Sequence, residues 1–185
     1  LLLPVLKEFR LLHPGIHIRI SNHSTPQAIA ALKEGTADIA VVTTPTAPSA
    51  SLTETPVRPI HEYAVCSPFF TNRQVKLEEL LEFPLISLGA DTKSFEFYSG
   101  FFAAHGLPYH PDIEAFTADQ ILPMVEADLG IGFVPEEFLE KWSNVCRIDL
   151  EEKIPERNVV VIKRKGQPLS VAAKELEKMI LAAEK

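Results

Sequence analysis

Cysteine is scarce: Cys66 and Cys146 are the two thiols in 185 residues, too few for a disulfide-built scaffold and in keeping with a reducing cytoplasm. Long apolar runs are missing too. Nothing approaches the ~20 residues that cross a bilayer. Leu1-Leu2-Leu3 suggests a signal peptide, but Pro4 and the charges of Lys7, Glu8 and Arg10 follow at once, and no membrane partner is expected. Positive charge is short as well, 18 Lys and Arg against 25 Asp and Glu for a formal net charge of -7, so the segment is not expected to grip a phosphate backbone itself. Lys163-Arg164-Lys165 is a tight basic cluster, and it reads as a solvated strand end. There is no P-loop, no Gly-x-Ser-x-Gly elbow, and no Cys-His arrangement on a recognisable scaffold. Gly130-Ile131-Gly132 lies at a strand start, so it is no dinucleotide fingerprint. The six histidines lack metal-ligand spacing. No enzyme activity, metal or cofactor is expected. The chain also has no initiator Met and reads as a piece that begins inside a helix.

What is present is a helix-to-strand turn made twice. Ala31-Leu32-Lys33-Glu34-Gly35 leads into Asp38-Ile39-Ala40-Val41-Val42, and Met124-Val125-Glu126-Ala127-Asp128-Leu129-Gly130 leads into Ile131-Gly132-Phe133-Val134-Pro135. Each closes an amphipathic helix and enters an almost wholly apolar strand, the pattern of a strand buried on both faces in a parallel sheet. Two such units imply two small α/β lobes with a ligand cleft between them. One continuous sheet using the turn twice is the alternative.

The remaining signals fill in an alternating pattern. Helices are expected over 1–13, from Ser24-Thr25-Pro26 to Gly35, over 76–83, from Thr92 through His105, over 118–128 and over 168–183. Strands are expected at 17–21, 38–42, 62–66, 85–88, 113–116, 131–134, 145–150 and 158–162. Residues 43–59, rich in Thr, Pro and Ser, read as a loop with a short strand near 52–55. Strand–helix alternation makes the class α/β.

Three stretches together carry a family resemblance: Leu3-Pro4, Phe9-Arg10 and Pro14; Ala31-Leu32, Gly35 and Asp38-Ile39-Ala40; Leu129-Gly130-Ile131 and Val134-Pro135. In this order, and with the basic strand exit near Lys163 and its closing helix, the chain resembles the effector-binding domain of LysR-type transcriptional regulators. The resemblance implies a fold like the type 2 periplasmic solute-binding proteins, two Rossmann-like lobes joined by two crossover strands. Lobe one would take residues 1–66 and 147–185, lobe two residues 67–146. It further implies a small-molecule effector bound in the cleft, a homo-oligomer whose arrangement the effector shifts, and contact with DNA only through a separate N-terminal winged helix-turn-helix. That part is expected to be absent here, as are the first strand of lobe one and its Ser/Thr-bearing loop. The apolar faces of helices 1–13 and 118–128 are candidate subunit contacts, and core packing explains the same positions. A periplasmic solute-binding protein of a transport system is the alternative function.

Ligands of open α/β sheets sit beyond the carboxyl ends of strands, where helix N-termini attract anions. Three such ends are legible: Ser24-Thr25, Gly89 to Thr92, and Thr117. By resemblance they match the family's effector-contacting loops. As simple N-caps each hydroxyl would be worth ~1 kcal/mol of helix stability, and both roles are compatible. Thr43 ends a strand where some relatives carry a carboxylate-clamping Arg, so a bidentate salt bridge from that point is excluded. Asp119 either receives an amino group or complements its helix dipole. The expected effector is therefore an anionic metabolite held by hydroxyls and helix ends, or a neutral polar one. Phe95, Phe97, Phe101 and Phe102 offer a stacking box or, more simply, core packing. On the family plan Cys66 and Cys146 fall on the two crossover strands, either as a redox-sensitive pair or as two small buried residues.

Overall fold

The computed structural model describes residues 2–47, 49–68, 74–139 and 142–183. In chain order its elements are α1 (Leu2–Leu12), α2 (Thr25–Glu34), β1 (Ala40–Thr43), β2 (Leu52–Ile60), β3 (Glu62–Cys66), a 3-10 helix (Leu77–Glu82), β4 (Ile86–Leu88), α3 (Lys93–Ala104), β5 (Ile113–Ala115), a 3-10 turn (Ala118–Gln120), α4 (Ile121–Glu126), β6 (Gly132–Pro135), α5 (Glu136–Leu139), β7 (Cys146–Arg147), β8 (Arg157–Arg164) and α6 (Val171–Ala182). The chain forms two compact units, Leu1–Pro59 with Asn158–Lys185, and Ile60–Arg157. The boundaries expected after residues 66 and 146 lie inside the second unit.

The first unit is built on a three-stranded sheet with β8 between β1 and β2. The apolar run Val159–Ile162 is buried because helices cover both of its faces. Val160 and Ile162 pack with Ala28, Ile29 and Leu32 of α2, and Val161 packs with Val5 of α1 and Ile180 of α6. β1 is antiparallel to β8, from Ala40↔Ile162 to Thr43↔Val159. β6 is likewise antiparallel to β3. The parallel sheet expected from these apolar strands is thus corrected for β1, whereas β6 is antiparallel to β3 but meets the 85–88 strand in parallel where Ile131 pairs with Leu85; burial of both faces made these strands apolar. The parallel ladder is β4 with β5.

Three other expectations change here. Residues 17–21 alternate like a strand but form none, since no strand among the described residues pairs with them, and Ile20 stays exposed. Residues 52–60, expected mostly as loop, form a nine-residue strand. It sits at the sheet edge, where Pro56 and Pro59 cost no interior ladder bond. The basic strand exit is not merely solvated. Arg164 donates to the carbonyls of Leu32 and Ala37 (2.9 Å to the latter), closing the C-terminal end of α2 beyond the left-handed Gly35, and Lys163 pairs with Glu177 at 2.6 Å.

The second unit holds a three-stranded sheet with β3 between β6 and β7, and the β4–β5 pair. Ala64 and Cys66 face a core with Leu77, Leu80, Phe101 and Phe102, while Val65 faces the other side with Ile121, Leu122 and Val125. The α3 aromatics are core: Tyr98, Phe101 and Phe102 are buried, and Phe95 and Phe97 pack beside them. Gly130 makes the second turn possible. Its φ is 154°, and an added Cβ would stand 2.3 Å from the Pro84 carbonyl oxygen, which instead accepts the Ile131 N–H at 2.8 Å. The 118–128 helix is shorter than expected, a 3-10 turn running into α4. Residues 145–150 shrink to the two-residue β7.

Candidate functional site

Because β4 and β5 are parallel neighbours, with Leu88 opposite Ala115, their carboxyl ends leave the sheet side by side. That register brings Gly89 to Thr92 and Phe116-Thr117 to one edge of the second unit. Thr92 caps α3: its Oγ accepts the Phe95 N–H at 3.1 Å and donates to the Gly89 carbonyl at 2.8 Å, so both capacities serve the turn. A Cβ at Gly89 would lie 2.9 Å from Glu114 Oε1 and 3.0 Å from Asp91 Oδ1, the ends of side chains that can turn aside, so the carboxylates crowd this turn without requiring its glycine.

Thr117 stands at an N-cap without using its side chain as one. Gln120 supplies the reciprocal half of a capping box, its Oε1 accepting the N–H groups of Phe116 at 2.9 Å and Thr117 at 3.2 Å, ahead of the helix. Asp119 lies in the 3-10 turn that follows. Phe116 is 85% exposed at the same exit, a large apolar side chain with no core to fill. With Asp91, Glu114 and Asp119 around it, this edge is acidic.

The first unit brings together the other predicted residues. The short connection 35–39 returns β1 antiparallel to α2, which packs on it through Ala28, Ile29 and Leu32. The N-terminus of α2 and the end of β1 therefore share one side: Ser24 at the N-cap, Thr25 opening the helix, and Thr43 closing the strand. The Ser24 N–H donates to Gln27 Oε1 at 3.0 Å in a capping box, whose other half sets the buried Ser24 Oγ toward the Gln27 N–H without a full hydrogen bond. Beyond Thr43, Thr44 Oγ1 accepts the Asn158 N–H at 2.9 Å.

Sequence reasoning missed a buried polar cluster in the second unit. Arg157 Nη1 donates to Glu62 Oε1 at 2.7 Å, and Tyr98 Oη donates to Glu62 Oε2 at 2.7 Å. Arg157 Nη2 reaches Ser94 Oγ at 3.3 Å, and its guanidinium lies 4.8 Å from the Phe97 ring centre. Burial raises the Glu62 carboxyl above its usual range, outweighing the opposing pull of Arg157 and Tyr98. Tyr98 is pushed well up, first by burial and then by Glu62. The cluster fixes the first turns of α3 to the strand ends at the boundary of the unit. The sole signal in the sequence was a charge at the start of each of two apolar strands.

A groove of about 210 Å³ runs along β3 and β7, walled by Tyr63, Arg147, Asp149 and Lys153 among others. It is smaller than the ~300–1,000 Å³ usual for ligand pockets, and none of the predicted residues lines it. Arg147 stacks on Tyr63 at 3.4 Å. Among the described residues no three His, Cys, Asp or Glu side chains gather as metal ligands, and no helix is long and apolar enough to cross a membrane.

Comparison with known proteins agrees with this architecture. The family of LysR substrate binding domains matches residues 1–185. HTH-type transcriptional regulator CysB of Burkholderia cenocepacia is 28% identical over 134 residues, 71% of this chain and 43% of that protein. The chain therefore spans less than half of the curated relative it matches. The regulatory domain of Synechocystis PCC6803 CcmR in complex with 2-PG superposes with a TM-score of 0.85 at 17% identity, covering 98% of this chain and 90% of that one. The effector-binding domain of QuiR in complex with shikimate gives 0.86 at 16% identity, over 98% and 88%. These likenesses place the fold with the type 2 periplasmic-binding proteins.

Proposed function

The chain belongs to the LysR substrate-binding domain family, and from that premise we propose that it senses a polar metabolite bearing hydroxyl or amino groups, through Ser24, Thr25 and Thr43 of the first unit and Gly89, Thr92, Thr117 and Asp119 of the second. Family membership over the whole length favours a regulator's sensing domain over a transport receptor and over an enzyme. Ser24 Oγ carries the assignment of contacts: it faces the N-terminus of α2 in a capping box but makes no full hydrogen bond there, so a rotamer change can offer it to a ligand at the helix end. The acidic edge formed by Asp91, Glu114 and Asp119 favours hydroxyl and amino donors over a bare polyanion. Shikimate, bound by QuiR, combines three hydroxyls with one carboxylate and illustrates the class.

In this reading the effector acts by differential affinity. A ligand that prefers one arrangement of the protein shifts the population by that preference alone. DNA contact would belong to a separate part of a longer protein, and the sensing domain would work as a homo-oligomer. Of the two helix faces expected to pair, α4 uses Ile121, Leu122 and Val125 in its own core, whereas α1 leaves Leu3 and Leu11 75% and 73% exposed, so α1 is the better candidate for a second copy. Sedimentation at graded concentration tests that assignment, which a concentration-independent monomer removes.

The test of sensing is a thermal-shift screen with shikimate, other hydroxy acids and amino acids, repeated on Ser24→Ala and Thr117→Val. A ligand at 100 times its Kd adds ~2.7 kcal/mol to stability. Stabilisation that both substitutions weaken supports the contacts. Stabilisation unchanged in both variants removes Ser24 and Thr117 from the site.

A further inference from the structure

The two cysteines meet in the second unit as directly opposed residues of antiparallel strands, Cys66 of β3 against Cys146 of β7. The neighbouring pair, two residues along each strand, is bonded from the Ile148 N–H to the Ala64 carbonyl at 2.9 Å, so the alternation of the ladder makes Cys66↔Cys146 a hydrogen-bonded pair too. Such pairs stand about 5.5 Å apart at Cα, with side chains on the same face, at the centre of the Cα range that a disulfide spans. Cys66 Sγ already lies 3.7 Å from the Cys146 carbonyl oxygen. Both thiols are free, Cys66 buried and Cys146 exposed.

We propose that Cys66 and Cys146 form a two-thiol oxidation site for hydroperoxides, closing reversibly into a disulfide that ties β7 to β3. The effector assignment above plays no part in this.

The asymmetry in exposure sets the order of events. The Cys146 sulfur, deprotonated, attacks one peroxide oxygen. The O–O bond breaks, an S–O bond forms, and the departing hydroxide takes a proton to leave as water. The Cys66 sulfur then displaces the sulfenic hydroxyl: the S–S bond forms, the S–O bond breaks, and the Cys66 proton leaves with that hydroxyl as a second water. Two thiols lose two hydrogens and two electrons to one peroxide. Burial, with Cys146 beside it, pushes the Cys66 thiol up to about 12, so Cys66 does not compete for peroxide in the first step, and its position opposite Cys146 is what brings it to the sulfenic sulfur in the second.

The experiment treats the reduced native chain with graded hydrogen peroxide, then measures intact mass and denatured thiol count. The expected product has lost both thiols together, is lighter by two hydrogens, and returns to the starting mass with dithiothreitol. Cys66→Ala is expected to stop at a sulfenic acid on Cys146 that dimedone traps, and Cys146→Ser to keep its Cys66 thiol at the same dose. Wild-type protein that gains oxygen on Cys146 while Cys66 stays a thiol overturns the proposal. So does wild type that keeps both thiols, or that couples only between chains.

Discussion

Replacing Arg157 with Met removes the cation from a buried carboxylate without changing much volume. Glu62 loses the 2.7 Å bond from Nη1 and keeps only Tyr98 Oη as a close donor among the bonds described above. Breaking a buried pair from one side typically costs ~3–5 kcal/mol. A chain of this length loses ~2–4 °C of Tm per kcal/mol, so the expected drop at neutral pH is roughly 6–20 °C. The sign of the pH dependence follows from the raised Glu62 carboxyl. Between its usual value of 4.5 and the raised one, the native state holds a proton that the unfolded chain has released. Its contribution is full below 4.5 and is lost as pH rises through the raised value. Without Arg157 that window widens upward, so the variant's deficit should be small in acid and grow toward neutrality. A triple variant, Glu62→Met, Arg157→Met and Tyr98→Phe, removes every charged partner and the orphaned phenol. It should recover most of the loss, since apolar replacement of a buried pair is often neutral or better. Melting curves of the three proteins across a pH series decide the matter. A single variant within ~1 kcal/mol of wild type at pH 7, or a triple variant no better than the single, refutes the account.

Gly130→Ala should cost ~2 kcal/mol or more in denaturant melts, because its Cβ would meet the Pro84 carbonyl at 2.3 Å on a backbone with φ of 154°. Thr92→Ala should cost ~1 kcal/mol by the loss of a used cap, whereas Thr117→Ala should cost less than about half that, since the Thr117 hydroxyl makes no full cap hydrogen bond. Equal losses in paired melts of the two would contradict the division of labour between them. Phe116→Ser should leave Tm within about a degree, as the ring is 85% exposed, and yet reduce any effector-induced thermal shift. A fall in unliganded Tm would mean that Phe116 supports the fold instead.

The elements that were legible are those whose causes are local. The turns at Gly35 and Gly130, the cap at Thr92 and the five-residue strand β3 depend on neighbours a few positions away, and the sequence carries those neighbours in plain view. Pairing is not local. Residues 17–21 have the alternation of a strand without a neighbour to bond, while β2 has an unpromising composition and a long neighbour in β8. Strand direction was misread for the same reason: an apolar run reports how many faces are covered, and α1, α2 and α6 would cover β8 equally well in either orientation.

The candidate site divides along the same line. That Ser24, Thr92 and Thr117 precede helices follows from their local sequence, but the use made of each hydroxyl depends on its rotamer and on the side chain one turn away. Gln27 takes the Ser24 N–H and Gln120 takes the Thr117 N–H, which takes over the reciprocal half of each cap, while Thr92 has no such Gln and spends its oxygen on the turn. A glutamine three residues after a capping hydroxyl is thus the sequence signal of a capping box, which at Ser24 and Thr117 leaves the hydroxyl short of a full hydrogen bond. It separates Ser24 and Thr117 from Thr92, and it makes the first two the substitutions that should weaken ligand binding most for the least loss of stability.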